Sequence, residues 1–384
     1  MKKTVLVITT SRADFGLLKP VITKLSGCKK FSVKVAATGN HFSKLHGLTS
    51  REIENEGIKI NYRIPLRLTD DSCSSTAKAI GQGVKDFSKL YANLNPDLII
   101  VLGDRYELWA ACVPATIHRI PIAHIHGGEA TFGAYDDAIR HSVSKMSSIH
   151  FTSLEIYRKR LIQMGEQPSR VHTVGALGID TIYHQRLINR EGLSKDLGLD
   201  LSKPLALMTY HPVTLEDFTV SEKEVKAILA ALTKTPLNVL ITMPNADPGG
   251  LSVFKIIKNF QKKYPKKFFI RKSLGHKRYL SLLQYCKVMV GNSSSGIIEA
   301  ASFGVPVVNV GSRQEGRFKP KNVIDCDYKS VKTAISSALS SDFRSRIANL
   351  KNPYGSGNSA DKIIRILSKT DFSVLLKKGF YDLS

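Results

Sequence analysis

The sequence predicts an α/β protein made of two doubly wound domains, each with a parallel sheet of the Rossmann type. Short apolar segments alternate with longer amphipathic segments along the chain, and this alternation starts again near residue 175. Several short segments are apolar on both faces, as buried parallel strands must be. A length of 384 residues also exceeds that of a typical single core.

The first half of the chain predicts five strands joined by helical segments. Apolar residues of segment 17–25 recur at helical spacing, and those of segment 77–91 recur at intervals of three and four. Both segments therefore predict amphipathic helices. The predicted strands are residues 4–9, 31–37, 97–102, 120–125 and 150–152.

The second half repeats the pattern after a boundary that we predict between Gly175 and Asp180. Its strands are again short and apolar, with helical stretches between them. The predicted strands are residues 204–209, 237–243, 268–271, 287–290 and 305–310. In such sheets ligands bind at the carboxyl ends of the strands, and a cleft between two domains is the natural place for a site.

Residues 291–299 form the segment most suited to an anion. A strand that ends at Gly291 and turns through three serines into a helix leaves backbone N–H groups at the positive end of the helix. We predict that this helix runs to Phe303. Ser293 and Ser294 add hydroxyl donors, and Glu299 can accept hydrogen bonds from sugar hydroxyls. The alternative is an ordinary serine-rich helix cap.

The polar residues at the other strand ends divide by chemistry. The first half offers the carboxylates Asp104, Glu129 and Asp136, which suit proton transfer. Arg12, Arg105, Arg140 and His141 lie near them in the sequence or at other strand ends. The second half offers cations and an amide, which suit a diphosphate: His211, Asn245, Arg313 and Arg317. Single residues have simpler explanations, such as a core role for His124, but eight polar strand ends together favour a site.

Composition limits the classes of function. The formal net charge of +24 calls for an acidic partner, yet the densest lysine cluster, within residues 262–278, follows the pattern of a solvated helix face. No nucleic-acid module, Walker A motif or Gly-x-Gly-x-x-Gly occurs. Five scattered cysteines indicate neither disulfides nor zinc. Without a segment long enough to span a bilayer, we expect a cytoplasmic protein that binds neither nucleic acid nor membrane.

Eight motifs then occur in an order that resembles the hydrolysing UDP-N-acetylglucosamine 2-epimerases of sialic acid biosynthesis. They cover nearly the whole chain, from Thr4 to about Leu367. The motifs are SRADFG (11–16), GDRYE (103–107), HIHGGE (124–129), DDAIRH (136–141), HPVT (211–214), NAD (245–247), GNSSSG (291–296) and GSRQEGR (311–317).

The resemblance implies a glycosyltransferase-B-like fold and a division of the chain. Residues 1–176 would form the domain with the catalytic carboxylates, and residues 177–358 the UDP-binding domain. Residues 359–384 would form a helix that crosses back to the first domain, followed by a tail. A homo-oligomer, dimer or tetramer, is also expected.

The resemblance further implies a reaction in which UDP-N-acetylglucosamine and water give N-acetylmannosamine and UDP. The family eliminates UDP across C1 and C2 and then adds water with inversion at C2. Asp104, Glu129 and Asp136 would be the acid and base groups, and His211 would meet the diphosphate or the leaving oxygen. The residues implied to hold UDP are Arg12, Arg105, Asn245, Ser293, Ser294, Glu299 and Arg313. No cofactor or metal is expected.

Three alternatives remain open on the sequence. A sister group with the same motifs acts on UDP-2,4-diacetamido-2,4,6-trideoxyglucose on the way to legionaminic acid. A glycosyltransferase could share the fold and the UDP site, but it would need an acceptor. A non-catalytic basic binding module would not need the carboxylates of the first half.

Overall fold

The structure is a computed structural model that describes residues 2–42, 48–68, 70, 72–132, 135–213, 217–243, 250–271 and 274–383. The chain divides into two compact units. The first unit comprises Met1–Glu129, Tyr135–Thr181 and Tyr354–Ser384, and the second comprises Ala130–Ala134 and Ile182–Pro353. Residues 177–181 and 354–358, which the sequence analysis placed in the second domain, therefore belong to the first unit.

The first unit contains a seven-stranded sheet in the order β3-β2-β1-β4-β5-β6-β7, and all its neighbouring strands are parallel. Its strands are β1 (Lys3–Thr9), β2 (Phe31–Thr38), β3 (Tyr62–Ile64), β4 (Leu98–Leu102), β5 (Ile122–Ile125), β6 (Ile149–Thr152) and β7 (Val171–Thr173). The strand order reverses between β1 and β4. This is the switch point at which doubly wound sheets hold their ligands.

Helices cover both faces of this sheet. They are α1 (Arg12–Gly27), α2 (Ser50–Asn55), α3 (Cys73–Leu94), α4 (Glu107–Ile117), α5 (Asp136–Met146), α6 (Glu155–Gln163) and, from the far end of the chain, α15 (Ser359–Lys369). Helix α7 (Leu177–His184) begins in this unit and passes into the second unit after Thr181. The central strand β4 shows the consequence, because Leu98 and Ile100 pack in one core while Ile99 and Val101 pack in the other. Every side chain of this strand is buried, which explains why its sequence is apolar without alternation.

Helix α15 is anchored in the first unit by its amino end. The Asp180 carboxylate accepts hydrogen bonds from the backbone N–H groups of Ser359 (2.9 Å) and Ala360 (2.7 Å). Two of the N–H groups that a helix start leaves unpaired are thereby satisfied. Lys24 of α1 pairs with Asp361 at 2.7 Å, and Ile363 and Leu367 enter the core beside α1.

The second unit contains a six-stranded parallel sheet in the order β10-β9-β8-β11-β12-β13. Its strands are β8 (Leu205–Thr209), β9 (Asn238–Thr242), β10 (Phe268–Arg271), β11 (Cys286–Gly291), β12 (Val307–Val310) and β13 (Val323–Cys326). Its helices are α8 (Arg190–Leu197), α9 (Phe218–Thr233), α10 (Gly250–Lys263), α11 (Gly275–Leu283), α12 (Ser294–Ile298), α13 (Val331–Leu339) and α14 (Ser341–Ile347).

The predicted doubly wound α/β fold is confirmed, and each of the ten predicted strands overlaps an observed one. The helix predicted from the serine segment to Phe303 is wrong in its length. It stops as α12 at Ile298, and a 3-10 turn, Ala300–Phe303, completes the connection. A tightened last turn is common at helix ends. In the described ranges of the chain, helices long and apolar enough to cross a bilayer do not occur.

Candidate active site

Arg140 gathers the polar groups at the carboxyl ends of β4 and β5. Its side chain is almost completely buried and forms an ion pair with the Asp104 carboxylate. Its Nη1 also donates to the carbonyl oxygen of Glu129 (2.9 Å) and to the Asp137 carboxylate (2.8 Å). We call Asp104, Glu129, Asp137 and Arg140 the Arg140 cluster. Two of the three predicted carboxylate positions, Asp104 and Glu129, are therefore joined by one guanidinium.

The Glu129 carboxylate is buried among hydrogen-bond donors. The Ser153 hydroxyl donates to its Oε1 at 3.0 Å, and Nδ1 of His126 lies 3.6 Å from the same oxygen. The backbone N–H of Leu177 donates to Nε2 of His126 (3.4 Å), so this nitrogen is the acceptor and the ring proton is on Nδ1, towards Glu129. The hydrogen bond from Ser153 orients the carboxylate, and the Nδ1–H of His126 faces the same oxygen.

Asp136 occupies the first position of α5 and is half-buried. Its neighbour Asp137 is the residue whose ion pair with Arg140 is 2.8 Å long. A carboxylate in the first turn of a helix is stabilised in its charged form by the helix dipole. Asp136 is thus adjacent in sequence to the Arg140 cluster.

The two predicted UDP-binding arginines of the first unit have carboxylate partners in the structure. Arg105 donates to the fully buried Glu107 through Nη2 (2.7 Å) and Nε (3.1 Å). Burial raises the pKa of Glu107, and the charge of Arg105 opposes this rise. Arg12 pairs with Glu52 at 3.0 Å on the surface. An exposed pair of this kind contributes only ~0–1 kcal/mol, so it does not prevent Arg12 from contacting a ligand.

Two buried histidines of the first unit have structural roles. Nε2 of His124 donates to the carbonyl oxygen of Gly103 (2.8 Å), which leaves Nδ1 to accept from the Ser144 hydroxyl (3.0 Å). Burial lowers the pKa of His124 to about 3. His41 is held similarly between two threonine hydroxyls, and burial lowers its pKa to about 4. The core role of His124 is therefore the correct interpretation.

In the second unit, His211 lies just beyond β8 and is held through its backbone. The side chain of Asn292 pairs with both backbone groups of His211: Oδ1 accepts from its N–H and Nδ2 donates to its carbonyl oxygen, each at 2.7 Å. The imidazole is largely buried. Burial, and next the charge of Arg313, lower the pKa of His211 to about 3. His211 is therefore neutral at physiological pH and can give a hydrogen bond without a charge.

Residues after β12 complete this group. Arg313 Nη1 (3.2 Å) and Gln314 Nε2 (2.8 Å) both donate to the carbonyl oxygen of Asn292. We call His211, Asn292, Arg313 and Gln314 the His211 cluster. Its members come from the ends of β8, β11 and β12, which are neighbours in the sheet.

The serine segment begins with a sharp turn that only glycine permits. Gly291 has a φ of 135°, and a Cβ added there would clash with the carbonyl oxygen of Thr209. Ser293 then caps α12 by accepting from the backbone N–H of Ser295 (3.3 Å). Ser294 is the first residue of α12 and is half-buried.

Glu299 directly follows α12 and contacts residues of its own unit. Its carboxylate accepts a hydrogen bond from the Ser295 hydroxyl and lies 3.8 Å from Nε2 of His276 in α11. It is mostly buried, so a sugar hydroxyl would have to share it with Ser295. Asn245, the remaining predicted UDP-binding residue, lies outside the described residues.

Several residues in the two clusters, or in contact with Glu129, were missed as site residues by the sequence analysis. Asp137, Asn292 and Gln314 of the clusters, and His126 beside Glu129, lie inside motifs that were already recognised. Ser153 directly follows the predicted strand 150–152. The position of Ser153 at a strand end was therefore an available signal. The sequence contains no signal for the orientation of the Asn292 amide, because that orientation depends on the turn at Gly291. Among the described residues, no three His, Cys, Asp or Glu side chains come together in a way that could hold a metal ion.

Residues 23–368 match the family described as UDP-N-acetylglucosamine 2-epimerase. The chain belongs to this family. The GDP/UDP-N,N'-diacetylbacillosamine 2-epimerase (hydrolyzing) of Campylobacter jejuni is 39% identical over the full length of both chains. The UDP-N,N'-diacetylbacillosamine 2-epimerase (hydrolyzing) of Legionella pneumophila is 36% identical, with 96% of each chain covered. With these two relatives the chain falls in the hydrolysing branch of the family, and the resemblance inferred from the eight motifs is confirmed.

A solved structure extends the likeness to the fold. The UDP-GlcNAc 2-epimerase from Neisseria meningitidis, bound to UDP-GlcNAc, superposes with a TM-score of 0.82 at 18% identity. The superposition covers 96% of this chain and 100% of that one. At this identity the likeness establishes the fold alone, and the predicted glycosyltransferase-B-like fold is confirmed. Membership of the family makes the chain an epimerase-type enzyme of UDP-sugar chemistry.

Proposed function

We propose that this protein is a hydrolysing 2-epimerase that converts UDP-N,N'-diacetylbacillosamine and water into UDP and the free sugar epimerised at C2. The names of the two relatives at 39% and 36% identity favour this substrate. The route has two steps: loss of the C2 proton with departure of UDP from C1 gives a glycal, and addition of water across the double bond gives the free sugar.

The single observation that carries this function is the set of carboxylates at the ends of β4 and β5 in the first unit. Removal of the weakly acidic C2 proton needs a fixed carboxylate, and proton transfer by a fixed side chain accelerates a reaction by ~10²–10⁴. Ser153 donates to Glu129, Nδ1 of His126 lies beside the same carboxylate oxygen, and Arg140 holds Asp104. We assign acid and base roles to Asp104, Glu129 and Asp136, without dividing the roles among them.

The His211 cluster supports the assignment of the second unit to UDP. Departure of UDP places charge on the diphosphate, and fixed cations and donors stabilise such charge. Arg313 supplies a cation, the neutral imidazole of His211 supplies a donor, and Ser293 and Ser294 supply hydroxyls. Arg12, Arg105, Asn245 and Glu299 complete the proposed contacts with UDP. No step of this scheme requires a metal ion.

A second candidate substrate is UDP-N-acetylglucosamine, which would give N-acetylmannosamine for sialic-type acids. The description of the matching family favours it. The two substrates share C1, C2 and the diphosphate, so both candidates use the same chemistry. They differ at two positions of the sugar. In the bacillosamine derivative, C4 bears an acetamido group and C6 is a methyl group.

The test is to supply each UDP-sugar separately in deuterated water and follow both products by NMR. We expect UDP and a free sugar with deuterium at C2, at a higher kcat/KM for the diacetylbacillosamine derivative. A higher kcat/KM for UDP-N-acetylglucosamine would transfer the assignment to the second candidate. A product without deuterium would exclude the elimination, and turnover only with an added sugar acceptor would indicate a glycosyltransferase.

A further inference from the structure

Asn292 is the residue that joins the His211 cluster, and all its polar groups have partners. The residue is fully buried. Its backbone N–H donates to the carbonyl oxygen of Thr209 (3.1 Å), and its side-chain amide pairs with both backbone groups of His211. Its carbonyl oxygen accepts from Arg313 and Gln314. This residue at the end of β11 therefore contacts the ends of both neighbouring strands, β8 and β12.

The side chain of Asn292 continues the sheet beyond its last backbone pair. The register of β8 and β11 ends at Thr209 and Gly291, and the turn at Gly291 takes the backbone out of the sheet. His211 would lose both its backbone partners at this point, where a buried N–H or carbonyl group is costly to leave unpaired. The amide of Asn292 replaces the missing strand, because it offers one acceptor and one donor as a peptide group does.

The backbone carbonyl of Asn292 connects this pairing to β12. While the side chain is anchored at two points on His211, the carbonyl group of the same residue faces the segment after β12. Arg313 and Gln314 both donate to this carbonyl. The position of the Arg313 guanidinium is thus connected to the position of His211 through a residue that directs none of its own polar groups towards a ligand.

We propose that Asn292 is a positioning residue that aligns His211 and Arg313 for the diphosphate of the UDP-sugar. The inference rests on the proposed function, because UDP is taken as the ligand of the His211 cluster. Asn292 contributes alignment, and His211 and Arg313 contribute the contacts. Loss of the amide lets the segment after β8 separate from the segment after β11. His211 and Arg313 are then no longer held in a fixed position relative to each other.

The same sheet supplies a matched control. Asn322 is also fully buried, and its Nδ2 donates to the carbonyl oxygen of Val305 at 2.8 Å. It lies at the opposite edge, where β12 and β13 begin. Replacement of either asparagine removes a buried amide from one sheet. Only Asn292 is linked to His211 and Arg313.

The experiment compares Asn292→Ala and Asn322→Ala with the wild-type chain, by calorimetric titration with UDP and by thermal unfolding. We expect both variants to have a lower Tm. In Asn292→Ala the affinity for UDP should fall about tenfold or more, because the loss of one charge-assisted hydrogen bond weakens binding by about that factor. In Asn322→Ala the affinity for UDP should stay within about twofold of the wild-type value. If Asn292→Ala does not fold, Asn292→Ser keeps one hydroxyl partner for His211 and takes its place.

A double-mutant cycle with Arg313→Ala separates positioning from general loosening. If Asn292 acts through Arg313, the loss of UDP affinity in the double variant is smaller than the sum of the two single losses, because coupled residues are not additive. Additive losses, or an Asn292→Ala variant that binds UDP as the wild type does, would overturn the inference. A wild-type chain that does not bind UDP would instead refute the proposed function.

Discussion

At the scale of single residues, Arg140 determines whether the carboxylates of the first unit stay in place. It is buried, and its guanidinium satisfies Asp104, Asp137 and the carbonyl of Glu129 at once. A buried charge is tolerated only when it is paired and hydrogen-bonded, which holds for Arg140. The chain thus uses one cation to hold two separate strand ends.

Replacement of Arg140 by Met should be strongly destabilising. The change leaves Asp104 and Asp137 without their cation, and breaking a buried pair costs about 3–5 kcal/mol. Urea denaturation measures the free energy of unfolding. The control is Lys226→Met, because Lys226 is exposed and pairs with Glu222 one turn earlier in α9 (3.3 Å), and such pairs contribute ~0.3–0.5 kcal/mol. Equal losses in the two variants would contradict the structural role of Arg140.

Amide variants test the proposed chemistry at the same scale. Asp104→Asn, Glu129→Gln and Asp136→Asn keep the shape of the side chain but cannot take up a proton. We expect turnover to fall about a hundredfold or more, the usual scale for a positioned acid or base, while UDP binds as in the wild type. Steady-state kinetics and calorimetry give the two quantities. Near-normal turnover in all three variants would refute the assignment of residues and leave the fold unaffected.

At the scale of secondary-structure elements, all central strands could be predicted from the sequence, but only one of the four edge strands, β10, could be. The ten predicted strands include every central strand, since their residues are covered on both faces and must be apolar. The unpredicted strands β3, β7 and β13 are all edge strands. Their residues are mostly half-buried or exposed, so their sequences lack a continuous apolar segment.

The candidate site, too, could be predicted from the sequence only in part. Strand ends can be located from sequence, and this located Asp104, Glu129, His211 and Arg313. The ion pair between Asp104 and Arg140 joins residues 36 positions apart, and the pairing of His211 with Asn292 joins residues 81 positions apart. Such contacts depend on which strands are neighbours and on turn geometry, neither of which a single sequence specifies.

The turn between β11 and α12 provides a test at this scale. Gly291→Ala should prevent stable folding of the second unit, because it combines a φ of 135° with a clash against the Thr209 carbonyl. The control is Gly304→Ala, where φ is 60° and no atom lies within 4 Å of an added Cβ. That variant should lose only about 1 kcal/mol, the usual cost of a left-handed residue other than glycine. Circular dichroism and urea denaturation compare them, and similar stabilities would contradict the described turn.

At the scale of the whole molecule, stability should fall as the pH falls below neutrality. Burial lowers the pKa of His41 to about 4 and that of His124 and His211 to about 3, against about 6.5 for an unfolded chain. Between these values the unfolded chain binds protons that the folded chain does not. For each of these histidines, the free energy of unfolding therefore falls by ~1.4 kcal/mol for each unit by which the pH drops within this range. Asp14 and Glu107, whose pKa values burial raises, act in the opposite direction.

A variant isolates one of these contributions. His124→Gln keeps a donor for Gly103 but removes one titrating group. We expect the free energy of unfolding, measured in urea at several pH values between 6 and 4, to depend less on pH by about 1.4 kcal/mol per unit. If the wild type and the variant show the same slope, His124 is not held neutral by the fold.

The position of α15 has a consequence for biosynthesis. Its residues belong to the first unit, yet they leave the ribosome after the whole second unit has been made. Until then, the side of α1 that packs on Ile363 and Leu367 has no cover, and Asp180 lacks the N–H groups of Ser359 and Ala360. The second unit can therefore finish folding first, although its synthesis begins later. During translation, the earlier half of this protein is the one that must wait for the later half.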